Sequence, residues 1–78
     1  MFVNIGFGNF VSDKRVISVL SADSSPIKRL IRTSKDGNSL IDATCGRKTQ
    51  SVIVMDSDHV VLSALSPDAI YSKVSGNE

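Results

Sequence analysis

Two cations stand side by side, Arg47 and Lys48, in the segment Thr44-Cys45-Gly46-Arg47-Lys48-Thr49-Gln50, between the apolar runs "SLIDA" and "SVIVMD". A turn between strands needs a glycine and polar residues, but not two adjacent positive charges. A cation pair at a hairpin tip reaches away from the core and meets phosphates with no loss of packing. A second basic set, Lys28, Arg29, Arg32 and Lys35, falls at helical spacing. Its bland reading is a solvated helix face, and its alternative is a secondary contact with a partner or a neighbouring subunit. Lys14 and Arg15 form a further adjacent pair, with Lys14 another candidate for that secondary contact.

Other residues carry chemistry less well. Asp56-Ser57-Asp58-His59 brings potential ligands together, but a calcium loop needs more acids and a glycine at set spacing, so a turn explains it. One histidine in the whole chain argues against a transition-metal site, and no cofactor is implied. Cys45 has no base nearby in sequence, and no nucleophile–base pair or metal cluster emerges, so the expectation is that this is not an enzyme. Gly6-Phe7-Gly8 lacks the third glycine and the helix of a dinucleotide loop and reads as a turn or bulge. Asp42 sits mid-strand, where a carboxylate caps a sheet edge or accepts from backbone N–H groups.

The chain has 78 residues and a net charge of +1. That is one small domain, expected to span residues 1–75 with a frayed tail at 76–78. Such a domain buries only about 60% of its unfolded surface, so self-association would help it. The charge is lopsided. Residues 24–50 hold six bases against two acids, a net of +4, and the remainder nets −3. With a single cysteine, no intrachain disulfide forms, and with no signal peptide the expectation is a reducing, intracellular setting. No apolar run approaches the ~20 residues of a membrane span.

The elements that must position these residues follow from pattern. Phe2–Ile5 is apolar and extended, and Phe10–Ser12 resumes after the glycines. Asp13-Lys14 reads as a two-residue turn before a strand over Arg15–Ser21. Ser25 as N-cap and Pro26 at the first helical position open a helix that Gly37 closes in the left-handed conformation. Ile27, Leu30, Ile31 and Ser34 share its inner face. Strands follow at Leu40–Thr44, Ser51–Asp56 and His59–Leu65, the last two joined by Ser57-Asp58. Val52 and Val54 point one way, Ile53 and Met55 the other, so both faces need cover: one by the first helix, the other by a second helix or a neighbouring subunit. Ser66-Pro67 opens that second helix, with Ile70 and Val74 as its apolar edge. The order is β-β-β-α-β-β-β-α, a small α+β domain with a largely antiparallel sheet.

Four segments together, "FVNIGFGNFVS" (Phe2–Ser12), "SPIKR" (Ser25–Arg29), "LIDATCGR" (Leu40–Arg47) and "VIVMDSDHVVLS" (Val52–Ser63), resemble the RemA family of bacterial extracellular-matrix regulators. The likeness runs from about Phe2 to the early 70s. It implies a DNA-binding transcriptional regulator, similar in fold to LytTR-type modules, which assembles into a closed homo-oligomeric ring of around seven or eight copies. Double-stranded DNA would wrap the outside, at operons for biofilm matrix or osmoprotection. The family's DNA-contacting bases match Arg15, Arg47 and Lys48. Where the family usually carries Arg-Arg-Thr-Arg, this chain has Arg47-Lys48-Thr49-Gln50; Lys48 keeps charge without the bidentate fork of arginine, and Gln50 loses charge. Cys45 stands where the family often has an aromatic or a histidine. The implied setting is cytoplasmic and nucleoid-associated. Two rival readings are a ring-forming RNA-binding module, for which Phe7 and Phe10 are the only stacking candidates, and a protein–protein adaptor.

Overall fold

Alternation along one strand sets the layering. The computed structural model describes residues 1–74. In its central strand, β5 (Ser51–Met55), Val52 and Ile53 are both fully buried, on opposite faces. The other strands and helices are β1 (Phe2–Gly6), β2 (Asn9–Ser12), β3 (Val16–Ser21), α1 (Ser25–Asp36), β4 (Leu40–Asp42), β6 (Val60–Ser63) and α2 (Pro67–Val74). The expected β-β-β-α-β-β-β-α order is the observed one.

The strands form two sheets. β1 and β2 make an antiparallel hairpin, and the other four lie in the order β3-β5-β6-β4. β3–β5 and β5–β6 are antiparallel; β4 runs parallel to β6. Val52 packs with Ala22, Val60 and Leu62 beneath Ile27, Leu30 and Ile31 of α1. On the other face Ile53 and Val61 pack with Val3 and Ile5 of the hairpin and Ile70 of α2. The second face is therefore covered from within the chain, by hairpin and helix together, and no neighbouring subunit is needed for it. A buried hydrogen bond fastens the hairpin down: the Ser63 hydroxyl donates to the Ile5 carbonyl at 2.7 Å. Without it a carbonyl would be buried without a partner, at a cost of ~1–3 kcal/mol.

Several local expectations are corrected. Asp13–Arg15 is a 3-10 turn and not a two-residue turn, so β3 begins at Val16. The N-cap of α1 is Ser24, with Pro26 in the first turn. At its far end Gly37 has φ −89°, and Asn38 takes the left-handed position with φ 61°. The Ser39 N–H closes onto the Ser34 carbonyl at 2.9 Å, a helix stop that asparagine tolerates nearly as well as glycine. β5 stops at Met55, where the chain turns and the Asp58 N–H closes on the Met55 carbonyl at 3.1 Å. The turn to β6 is then Asp56–Asp58, with Asp58 left-handed at φ 68°. β4 ends at Asp42, earlier than Thr44. The expected apolar contribution of Val74 and the frayed tail at 76–78 lie outside the described side chains and residues.

Candidate nucleic-acid interface

Because β4 pairs with β6 and not with β5, the segment from 43 to 50 is a crossover that arches past the end of β6. Arg47 and Lys48 therefore sit in that arch, not at a hairpin tip. Its start is fixed by Asp42, whose Oδ1 accepts from the Thr44 hydroxyl at 2.6 Å and the Thr44 N–H at 2.9 Å. These two bonds, the hydroxyl first, hold the Asp42 carboxyl below its ordinary pKa, against a smaller opposing push from burial. This is the backbone-accepting role expected of Asp42. The Arg47 N–H then closes on the Thr44 carbonyl at 3.0 Å. Between them Cys45 (φ 53°) and Gly46 (φ 79°) are both left-handed, the signature of a type I′ turn. Cys45 is exposed and free, held there by backbone geometry.

The far side of the arch is pinned by Gln50. Its N–H donates to the Ser63 carbonyl at 2.9 Å, and its side-chain amide donates to the Ala64 carbonyl at 2.9 Å. Gln50 thus anchors the arch to the sheet. Arg47 and Lys48 are exposed between the two pins. The Arg47 guanidinium lies over the Phe7 ring, 5.7 Å from its centroid. Phe7 and Gly8, with φ 55° and 79°, form the two-residue turn of the β1–β2 hairpin, so Gly6-Phe7-Gly8 is a turn with a bulge beside it, as expected. Lys48 lines a shallow hollow of about 290 Å³ with Ser21, Asp23, Thr49, Gln50 and Pro67.

Arg15 is elsewhere. It precedes β3, whose far end, Ser21, borders the Lys48 hollow. At ~3.3 Å per residue, Arg15 and Lys48 stand roughly 20 Å apart, at opposite ends of the sheet. The Arg15 guanidinium donates to Asp56 Oδ2 at 3.2 Å, an open pair with side chains 69% and 41% exposed. Among the described residues the only other ion pair joins the N-terminal ammonium to Asp13. Arg47, Lys48, Lys14 and the α1 set Lys28, Arg29, Arg32 and Lys35 are thus exposed with no acid among the described residues at ion-pair distance.

Sequence reasoning missed two participants. Asp56 is 41 residues from Arg15 and becomes its partner only through the β3–β5 register. Phe7 supports Arg47; an aromatic between two glycines was the available signal. His59 bonds Ser57 through Nδ1 at 2.8 Å, consistent with a turn. Among the described residues, no three His, Cys, Asp or Glu cluster as metal ligands, and no helix is long and apolar enough to cross a membrane.

An α+β domain with a rigid cationic arch at one end of its sheet finds its counterparts among small bacterial regulatory proteins. A protein of Oceanobacillus iheyensis that carries a regulatory-protein name is 54% identical over 76 residues, covering 97% of this chain and 88% of the relative. One from Carboxydothermus hydrogenoformans, similarly named, is 53% identical over 77 residues, covering 99% and 88%. A third, from Dictyoglomus thermophilum, is 53% identical over 76 residues, covering 97% and 89%. Residues 2–74 match the RemA-like family, described as extracellular matrix regulatory protein A-like, and the chain belongs to that family. Its role is regulatory.

Proposed function

We propose that this protein is a DNA-binding transcriptional regulator, not an enzyme, that works in the cytoplasm at the nucleoid. It forms a homo-oligomeric ring and bends or wraps promoter DNA through Arg47, Lys48 and Arg15, at genes of the matrix or osmoprotection kind. One observation carries this reading: Arg47 and Lys48 project from an arch pinned on both sides, with no acid among the described residues in ion-pair reach. Cations held this way meet a phosphate backbone without a desolvated partner to displace and without loop ordering on contact.

The separation of Arg15 from the arch supports multiplicity. One protomer cannot bring all three cations to one phosphate cluster across roughly 20 Å, so gathering more cations at one stretch of backbone takes a second copy. The outer strands of the four-stranded sheet, β3 and β4, leave Ile17 and Ile41 exposed, and Phe2 and Phe10 are bare on the hairpin. Free strand edges and exposed apolar side chains are surfaces that a second copy covers. Each phosphate contact adds about −0.9 to the log–log salt slope. A single protomer therefore binds weakly, and a ring makes later contacts intramolecular. Wrapping costs several kcal/mol of DNA bending, which flexible sequences reduce, so selectivity comes through shape.

The test is a duplex gel shift paired with light-scattering mass. Wild type is expected to be oligomeric and to shift a promoter-length duplex in preference to single-stranded RNA. Arg47→Ala is expected to abolish the shift and Arg15→Ala to weaken it, each leaving the mass unchanged. A monomer that ignores duplex DNA in dilute salt overturns the reading.

A further inference from the structure

We infer that the outer face of α1 is a second duplex-contacting surface, on which Lys28, Arg29, Arg32 and Lys35 take phosphates of the same DNA that the Arg47–Lys48 arch holds. The inference rests on the proposed DNA-binding role and extends its footprint.

Direction is the first argument. α1 starts just after Ser21, which borders the Lys48 hollow. It ends beside Val60, whose N–H bonds the Ser39 carbonyl at 3.0 Å. Val60 pairs with Val54, near the end of the sheet where Met55 pairs with Val16. The helix therefore runs from the arch end to the Arg15 end, and its 12 residues span about 18 Å, nearly the separation of the two cationic ends. Along the strand direction its basic stripe lies between them, on the α1 face of the sheet.

Exposure and charge are the second argument. Ile27, Leu30, Ile31 and Ser34 face the core, which leaves Lys28, Arg29, Arg32 and Lys35 in solvent. None has an acid at ion-pair distance among the described residues. Lys28, Arg29 and Arg32 line a shallow hollow of about 270 Å³ with Ser25. Lys28 to Lys35 covers about 10 Å of helix, and a duplex carries one charge per ~1.7 Å of axis, so several phosphates fall within reach.

The acids among the described residues argue against a second copy as occupant. Asp13 is taken by the N-terminal ammonium, Asp56 by Arg15 and Asp42 by Thr44. Asp23 lies in the β3–α1 loop, Asp36 at the end of α1 itself, Asp58 in the β5–β6 turn and Asp68 on α2. Among the described residues no acidic patch matches four cations, whereas a phosphate backbone does.

The experiment uses the full chain and its Lys28→Gln/Arg32→Gln variant, both positions exposed. Anisotropy of a labelled mixed-sequence duplex is followed across a potassium chloride series, with light-scattering mass alongside. The variant is expected to keep wild-type mass, to bind about tenfold or more weakly at low salt, and to have a salt slope shallower by about 1.8, two phosphate contacts' worth. Wild-type slope and affinity in the variant overturn the inference alone. So does a fall in mass, which makes α1 a subunit contact, or a loss of binding confined to single-stranded RNA. If wild type itself ignores the duplex, the DNA-binding role falls with it.

Discussion

The two ends of the four-stranded sheet each display arginine, and they hold it differently. At the arch end, Arg47 rests on an aromatic ring, and its backbone is fixed by a type I′ turn between two hydrogen-bonded pins. At the opposite end, Arg15 follows a 3-10 turn and is already paired with Asp56. The ring orients a guanidinium and leaves its charge whole; the carboxylate orients it and offsets its charge. A phosphate arriving at the arch gains the full attraction, and one arriving at Arg15 must first displace an acid that repels it. The arch should therefore dominate affinity, and the Arg15 end should be the one that can be improved.

The largest expected effect tests that ranking. Arg47→Ala/Lys48→Ala should weaken duplex binding by at least about tenfold and lower the salt slope by about 1.8, measured by anisotropy across a salt series. The melting temperature should stay near wild type, because neither side chain is buried. Ser63→Ala comes next and acts on stability. It removes the bond to the Ile5 carbonyl that ties the hairpin, and with it Phe7, to the sheet, and should cost ~1–3 kcal/mol in denaturant unfolding.

Asp56→Asn probes the other end. Removing the acid beside Arg15 should raise duplex affinity a few-fold at low salt and change folding stability by less than ~1 kcal/mol, since so open a pair contributes little. Affinity that falls instead would mean that Asp56 serves mainly to aim Arg15. Phe7→Ala should be milder at the arch. It removes a cation–π contact of ~0.5–1 kcal/mol and lowers duplex affinity about twofold to fivefold, with no change in oligomer mass.

The asymmetry between the ends was not legible in the chain, although most of its parts were. Element order, the inner face of α1, the role of Asp42 and the two-sided burial of β5 all follow from periodicity and turn chemistry, which act over a few residues. What escaped depends on register. Nothing near Asp56 in sequence announces Arg15, and nothing in "SLIDA" says that it pairs with β6 in parallel and skips β5. That skip turned an expected hairpin tip into a crossover arch. The hairpin's share in covering Ile53 escaped for the same reason, because Val3 and Ile5 meet it only in three dimensions. The left-handed stop fell on Asn38 when Gly37 beside it was the stronger local signal; two adjacent permissive residues leave the choice to packing.

The smallest expected effect is a pH dependence at the arch. Hydrogen bonds from Thr44 lower the folded pKa of Asp42 below its unfolded value. A carboxyl depressed on folding contributes stability that is present above its unfolded pKa and is lost as pH falls through the folded one. Asp42→Asn keeps an acceptor oxygen but no charge, so it isolates the charge-dependent part. Its melting temperature should lie below wild type at neutral pH, and the two should converge as pH drops below the ordinary carboxylate range. Duplex affinity of the variant should fall only slightly at neutral pH, because the Arg47-to-Thr44 closure and the Gln50 anchor both remain. A gap that persists undiminished into acid would show that Asp42 holds the arch by shape alone, and that charge plays no part in setting the turn from which Arg47 and Lys48 project.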